Sequence, residues 1–186
     1  MKESCGVIAV SNFDGDNDVS SDLICGLEKL QHRGQLSTGI TTFSERRSPR
    51  LMTTKGMGLV IQVFGYGIPG QHGGNAGIGH VRYATSGGNN FNEAQPFQFN
   101  AGIETALAFN GNIANFRELV RKYVLRGIAI NPHIDTTVIQ QVVSDHLIEG
   151  SFIDSPHALA RTLDGAYSLV MINELGQIVA YRDHHG

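Results

Sequence analysis

Residues 105–126, TALAFNGNIANFRELVRKYVLR, change from a strand pattern to a helix pattern within a few positions. The short apolar run at 105–110 predicts a buried strand. After Asn115, which suits a helix N-cap, apolar residues recur at three- and four-residue spacing as far as Gly127, which suits a helix end. A strand and a helix over 115–126 therefore follow one another directly, with the pair Asn110-Gly111 at their junction.

The rest of the chain carries similar patterns. Further strands are predicted at 5–10, 38–43, 51–55, 76–83, 166–172 and 177–182, and further helices at 20–32, from Asp135 to Gly150, and at 156–163. Because the helices are grouped and do not alternate strictly with the strands, the pattern favours an α+β fold. At 186 residues, without a repeat or a linker, the chain fits one domain.

Composition excludes several classes of function. The formal charge is −3 and no basic stripe is present, which argues against nucleic acid and acidic membranes as partners. There is no secretory signal and no run of about 18 apolar residues, so we expect a cytoplasmic protein that does not enter a membrane. We expect both cysteines to be thiols and not a disulfide, and we expect Cys25 to lie in the core. The spacing of the eight histidines matches no metal site, and the glycine-rich stretch GYGIPGQHGG at 65–74 is typical of a loop.

Cys5 stands at the head of the first strand with no histidine beside it. A cysteine at a strand start is usually a small buried residue. If residues 1–4 were removed, however, the freed α-amine of Cys5 could act as its own base and activate the thiol. A thiol that attacks an amide also needs donors for the oxyanion, and the Asn110 side chain and the Gly111 N–H could supply them. The alternative for this Asn-Gly pair is a hairpin turn.

Charged residues elsewhere could bind a substrate. Arg82, followed by Thr85 in a glycine-rich turn, could clamp a carboxylate, although a surface ion pair is the usual role for such an arginine. Arg33 and Gly34 follow a predicted helix, where an arginine favours the helix dipole and a glycine ends the helix. Asp135 is a candidate N-cap.

Six motifs in order carry a resemblance to a known family: CGVIAV, LQHRGQ with TGI, GIGHVRYATSGG, EAQPF, FNGNIAN, and DGAYSLVMI with IVAYRDHHG. Together they resemble the glutaminase domain of the glutamine phosphoribosylpyrophosphate amidotransferases, which are class II glutamine amidotransferases of the N-terminal-nucleophile hydrolase type. LQHRGQ separates the chain from glucosamine-6-phosphate synthases, which usually read YRGYDSAG there, and from asparagine synthetases, which read RGPD. The resemblance implies a four-layer αββα sandwich of two mainly antiparallel sheets.

The resemblance also implies roles for the matched residues. Cys5 would attack the side-chain amide of L-glutamine, and Asn110 and Gly111 would hold the oxyanion. The other expected contacts are Arg82 and Thr85 with the α-carboxylate, Asp135 and Gly111 with the α-amino group, and Arg33 and Gly34 along the pocket beside the nucleophile. Ammonia would leave, and water would release glutamate from a γ-glutamyl thioester.

Three departures from the family pattern set further expectations. Phe109 stands where relatives often have histidine, and Thr137 stands where they have a carboxylate. Family chains also continue beyond RDHHG with more of the glutaminase domain and then a phosphoribosyltransferase domain. We therefore expect a leader at 1–4 and a glutaminase domain at 5–186 that is truncated and lacks its last strands.

A phosphoribosyltransferase domain, in cis or in trans, would then be the partner that uses the ammonia for purine biosynthesis. No cofactor is expected in this chain, since Mg²⁺ with phosphoribosylpyrophosphate would act in that other domain, and we expect a homo-oligomer. Two alternatives remain: a non-catalytic glutamine-binding or regulatory module with an uncleaved leader, and an amidotransferase subunit that serves another ammonia acceptor.

Overall fold

The computed structural model describes residues 5–12, 17–65, 73–83, 91–132 and 134–186. The predicted leader, Thr85 and most of the glycine-rich loop lie outside these residues. Within them the fold has four layers, in the order helices, sheet, sheet, helices. The α+β sandwich is therefore confirmed.

Strands β1 to β4 form the first sheet, in the spatial order β1-β4-β2-β3 with every neighbouring pair antiparallel. Their bounds are β1 Gly6–Ser11, β2 Ser37–Phe43, β3 Leu51–Met57 and β4 Ala76–Arg82. Strands β5 to β8 form the second sheet, in the order β5-β6-β7-β8, and it is antiparallel as well. Their bounds are β5 Phe97–Asn100, β6 Glu104–Ile113, β7 Gly165–Asn173 and β8 Ile178–Arg182.

Helices α1 and α2 cover the first sheet, and α3, α4 and α5 cover the second. Their bounds are α1 Ser20–Leu30, α2 Val60–Phe64, α3 Phe116–Leu125, α4 Asp135–Leu147 and α5 Ser155–Thr162. Short 3₁₀ turns cover Gln31–Arg33, Phe91–Glu93 and Phe152–Asp154. The two elements that the sequence did not predict, α2 and β5, have five and four residues, which is too short for a clear periodicity.

Helix α1 corrects the prediction for Cys25. Leu23 and Leu27 are fully buried against the first sheet, whereas Cys25 is exposed. Cys25 is two residues from each of these leucines, so its side chain points away from the face that they share. Both cysteines are free thiols, as predicted.

The predicted capping residues of α3 and α4 are confirmed only in part. Asn115 is the N-cap of α3, but its side chain bonds Thr162 O and Asp164 N–H instead of the helix. Gly127 takes a φ of 76° after the helix, as a helix-ending glycine does. The N-cap of α4 is Ile134, and Asp135 is the first helical residue. The N-cap assignment of Asp135 was therefore wrong by one position.

The side chains that fill the space between the two sheets change from apolar to polar along β4 and β6. Alternate residues of a strand share a face, and on both strands the even-numbered residues face the opposite sheet. They are Ala76, Ile78, His80 and Arg82 on β4, and Ala106, Ala108 and Asn110 on β6. One end of the interlayer is thus apolar and the other is polar.

Candidate active site

Cys5 comes directly before β1, at the polar end of the interlayer. The register pairs Gly6 with Val81, so its continuation places Cys5 opposite Arg82. The Tyr83 backbone N–H donates a hydrogen bond to Cys5 Sγ at 3.4 Å. Arg33 Nε donates to the Cys5 carbonyl at 3.0 Å. Cys5 is thereby held through its half-buried thiol and through its carbonyl, and Arg33 lies beside it.

Gly34 permits a close approach of two backbone segments at this point. A Cβ at position 34 would lie 2.4 Å from the Arg82 carbonyl carbon and 2.8 Å from Tyr83 N. The Arg82–Tyr83 peptide is the one that donates to Cys5 Sγ. Any larger residue at 34 would therefore displace the peptide that holds the candidate nucleophile.

Arg82 ends β4 with a side chain that is 10% exposed. Its Nη2 is paired with Glu93 Oε2. Its Nη1 is buried and has no hydrogen-bond partner among the described residues. An unsatisfied buried guanidinium nitrogen is costly, so Nη1 is a natural place for a ligand carboxylate oxygen.

Asn110 and Gly111 do not form the hairpin turn that was the alternative. They lie inside β6 and pair with Ser168 and Tyr167 of β7. Gly111 has a φ of 150°, and a Cβ there would lie 2.4 Å from Ala166 O, so this position requires glycine.

The backbone of Gly111 points away from β7. In an antiparallel strand, the N–H and C=O of one residue point to the same side, and the side alternates along the chain. Since the Phe109 backbone bonds Gln95 on the β5 side, Gly111 N–H points to that side too. The β5–β6 pairing stops at Phe97, the first residue of β5, opposite Leu107, so Gly111 N–H lies beyond this end of β5.

Asp135 lies beside the end of β6. Its carboxylate accepts a hydrogen bond from the Ile113 backbone N–H, two residues after Gly111. Burial raises the pKa of Asp135, and the bond from Ile113 opposes this only in part. Asp135 of α4 thus lies near the candidate oxyanion donors Asn110 and Gly111, which belong to β6.

His80 joins the two strands that carry these groups. Its Nε2 lies 3.1 Å from the Phe109 carbonyl, and its ring is fully buried. Burial lowers the pKa of His80 to about 3, so the ring is neutral and Nε2–H donates to Phe109 O. Arg82 lies two residues after His80, and Asn110 one residue after Phe109, which brings them to the same end of the sandwich.

Three residues at this site were not predicted as functional, although their motifs were recognised. They are His80 in GHVRYATSGG, and Glu93 and Gln95 in EAQPF. For His80 the available signal was a polar side chain inside an otherwise apolar strand pattern, whereas Glu93 and Gln95 lie outside every predicted strand. Thr85, the expected helper of Arg82, lies outside the described residues.

The described part of the chain also contains no helix long and apolar enough to cross a bilayer.

A family model for the glutamine amidotransferase domain matches residues 80–186, more than half of the chain. The chain therefore belongs to the family of glutamine amidotransferase domains, as the sequence motifs indicated.

Relatives that match the whole of this chain are named amidophosphoribosyltransferases. The enzyme of Pyrococcus horikoshii is 37% identical over 190 residues, which cover 100% of this chain and 39% of that enzyme. Amidophosphoribosyltransferase 2 of Arabidopsis thaliana, a chloroplastic enzyme, is 36% identical over 188 residues, with 100% and 32% covered. The chain thus spans only about a third to two fifths of the length of these relatives.

Solved structures agree with this result. The glutamine phosphoribosylpyrophosphate amidotransferase of B. subtilis, solved with ADP and GMP, is 29% identical with a TM-score of 0.77, and the match covers 95% of this chain and 37% of that one. A structure described as the allosteric regulatory enzyme of purine biosynthesis has the same identity and TM-score, over 98% of this chain and 38% of the other. The sandwich is therefore the fold of the glutaminase part of such enzymes.

Proposed function

We propose that the chain hydrolyses L-glutamine to glutamate and ammonia through a thioester on Cys5. The observation that carries this proposal is the position of Cys5 Sγ, which accepts the Tyr83 N–H at the same end of the sandwich as Arg82, Asn110 and Gly111. The site has the parts that cysteine acyl transfer needs: a fixed thiol, a cation for the substrate carboxylate, and N–H donors at the free side of a strand.

Covalent chemistry begins with attack of Cys5 Sγ on the carboxamide carbon of glutamine. The α-amine of Cys5, freed when residues 1–4 are removed, takes the thiol proton as the C–S bond forms. The carbonyl electron pair moves to oxygen, which the Asn110 side-chain amide and the Gly111 N–H stabilise. Collapse of this intermediate breaks the C–N bond, and the same amine returns the proton to the leaving ammonia. Water then cleaves the thioester and releases glutamate.

Recognition of a free amino acid requires one cation and one anion placed apart. Arg82 Nη1, with Thr85, is assigned to the α-carboxylate, and Asp135 with Gly111 to the α-ammonium group. Arg33 and Gly34 form the wall beside the nucleophile, since they contact the Cys5 carbonyl and the Arg82–Tyr83 peptide.

The ammonia is assigned to phosphoribosylamine formation in a phosphoribosyltransferase domain, joined in cis or supplied in trans. This assignment follows the two relatives described above, both named amidophosphoribosyltransferases, of which this chain matches only a part. In that setting residues 5–186 are the glutaminase domain of a cytoplasmic homo-oligomer. Mg²⁺ with phosphoribosylpyrophosphate would act in the other domain.

The experiment combines turnover with covalent labelling. Protein with Cys5 at its N-terminus, as intact mass establishes, should release glutamate from glutamine and take up one diazo-ketone glutamine analogue. Cys5→Ala should lose both, whereas Cys25→Ala, which removes the exposed thiol of α1, should keep both. Reversible glutamine binding without turnover or labelling would instead identify a binding module.

A further inference from the structure

The side chain of Gln95 takes the place of a missing stretch of strand. The β5–β6 register pairs Phe97 with Leu107, and its continuation would place residue 95 opposite Phe109. There Gln95 Oε1 accepts the Phe109 N–H at 2.7 Å, and Gln95 Nε2 donates to Phe109 O at 3.2 Å. These are the two bonds that a backbone partner would exchange in an antiparallel pair. Strand β6 thus keeps its ladder for one more residue through a side-chain amide.

Gln95 is itself held by both sheets. Gln95 is only 8% exposed. Its backbone carbonyl oxygen lies against Gly39 of β2, 2.3 Å from the position that a Cβ at residue 39 would take. Lys55 of β3 donates from Nζ to the carbonyls of Ala94 at 2.6 Å and Pro96 at 3.3 Å. The segment 94–96 is therefore fixed to the first sheet while its glutamine reaches the second.

The Phe109 peptide is the point at which these constraints meet. Its carbonyl accepts from both Gln95 Nε2 and His80 Nε2, and its N–H is also bonded. This carbonyl shares its peptide plane with the nitrogen of Asn110. Fixing that plane fixes the direction in which the Asn110 side chain leaves the strand and the start of the peptide that ends in Gly111 N–H.

We propose that Gln95, together with His80, is a positioning residue that aims the Asn110 and Gly111 donors at the oxyanion. The proposal rests on the glutaminase function above. Oxyanion donors act only when they are fixed before the reaction, and a displacement of about 1 Å can lower the rate by about 100-fold. We expect the loss of the Gln95 amide to lower kcat by about 10- to 100-fold and to change KM by less than about threefold, because the described hydrogen bonds of this side chain go to the Phe109 backbone and not to Arg82 or Asp135.

The test compares two reactions of the same thiol in the Cys25→Ala background. Glutamine turnover forms an oxyanion, whereas alkylation of Cys5 by iodoacetamide is a displacement at carbon that forms none. Gln95→Leu should lower turnover and leave the alkylation rate within about twofold. The matched control is Gln98→Leu on β5, where the glutamine is exposed and both reactions should be unchanged. Equal loss of turnover and alkylation in Gln95→Leu, or full turnover, would overturn the proposal.

A second variant keeps the test decisive if Gln95→Leu fails to fold. In Gln95→Glu, the protonated carboxyl can still donate to Phe109 O and accept from Phe109 N–H, whereas the ionised form turns an oxygen lone pair towards that carbonyl. The ratio of its kcat to that of wild type should rise by about 10-fold or more between pH 8 and pH 5. A flat ratio would contradict the proposal.

Among the described residues, the charged and titratable groups around position 95 are Lys55, the pair Arg82 and Glu93, and the neutral His80. All of them are common to variant and wild type, so the ratio cancels their own titration. Failure of the proposed function would look different: glutamate release would then be absent from wild type or would survive Cys5→Ala, whatever the residue at 95.

Discussion

The space between the two sheets is filled in two different ways along the same strands. At one end, Ala76 and Ile78 of β4 face Ala106 and Ala108 of β6 in an apolar cluster. Two to four residues further on, the same faces carry His80, Arg82 and Asn110. Apolar packing is non-directional, whereas each buried polar group needs a partner in a fixed direction. The first end therefore stabilises the sandwich, and the second end fixes where atoms are.

The polar end meets this demand largely through the main chain. His80 and Gln95 both bond the Phe109 backbone, and Arg33 bonds the Cys5 carbonyl. Arg82 differs, because its Nη2 pairs with the Glu93 side chain, and its Nη1, like Nδ1 of His80, stays without a described partner. The candidate active site therefore lies at the end where a side chain of one sheet, His80, holds the backbone of the other sheet.

The largest effect is expected for Asn110→Ala at the polar end. Loss of one oxyanion donor should lower kcat for glutamate release by about 100- to 1,000-fold. Steady-state kinetics measure this, with Asn112→Ala as the control, since Asn112 is an exposed residue of the same strand. Comparable losses in both variants would mean that β6, and not the donor, was damaged.

Asp135→Asn should raise KM for glutamine by about 10- to 100-fold, since a charge-assisted bond to the α-ammonium group is lost. Burial raises the pKa of Asp135 in the folded chain. Its stabilising contribution is therefore present below the unfolded pKa and is lost as pH rises through the folded pKa. At pH 7 the asparagine variant should unfold at the same temperature as wild type or higher, and thermal unfolding with kinetics checks both. A lower melting temperature with KM unchanged would contradict the assignment.

His80→Gln should change how stability depends on pH. Burial lowers the pKa of His80 to about 3, whereas an unfolded histidine titrates near about 6.5. The contribution of neutral His80 is present above about pH 6.5 and is lost as pH falls towards 3, by up to about 1.4 kcal/mol per pH unit. Denaturant unfolding between pH 4.5 and 7.5 should give a flatter curve for His80→Gln than for wild type. His157→Gln on α5, an exposed site, should keep the wild-type slope.

The smallest effect is expected at the apolar end. Ile78→Val removes one buried methylene and should cost about 0.5–1.5 kcal/mol of unfolding free energy. Because Ile78 lies in the apolar cluster, kcat and KM should stay within about twofold of wild type. A large loss of activity here would show that the two ends are not separable.

The sequence predicted every helix and strand of more than five residues, and of the shorter ones only β8. The eleven-residue α1 repeats its period and the ten-residue β6 contains a continuous apolar run, whereas the four-residue β5 is too short for either signal. Burial of Cys25 was assumed from apolar neighbours in sequence, although its place on the helix faces solvent. The sequence does not reveal the proposed role of Gln95. That role depends on where β5 begins and on which distant peptide the side chain reaches.

Strand β5 begins only at Phe97, and this late start has one more consequence. Beyond Gln95 no described strand accompanies β6 on that side, and the Gly111 N–H points into this opening. A bound glutamine side-chain amide would then continue the row that Gln95 begins, one glutamine carboxamide after another along a single strand. Under the proposed function, the chain would thus carry a fixed carboxamide beside the place where the carboxamide of glutamine reacts.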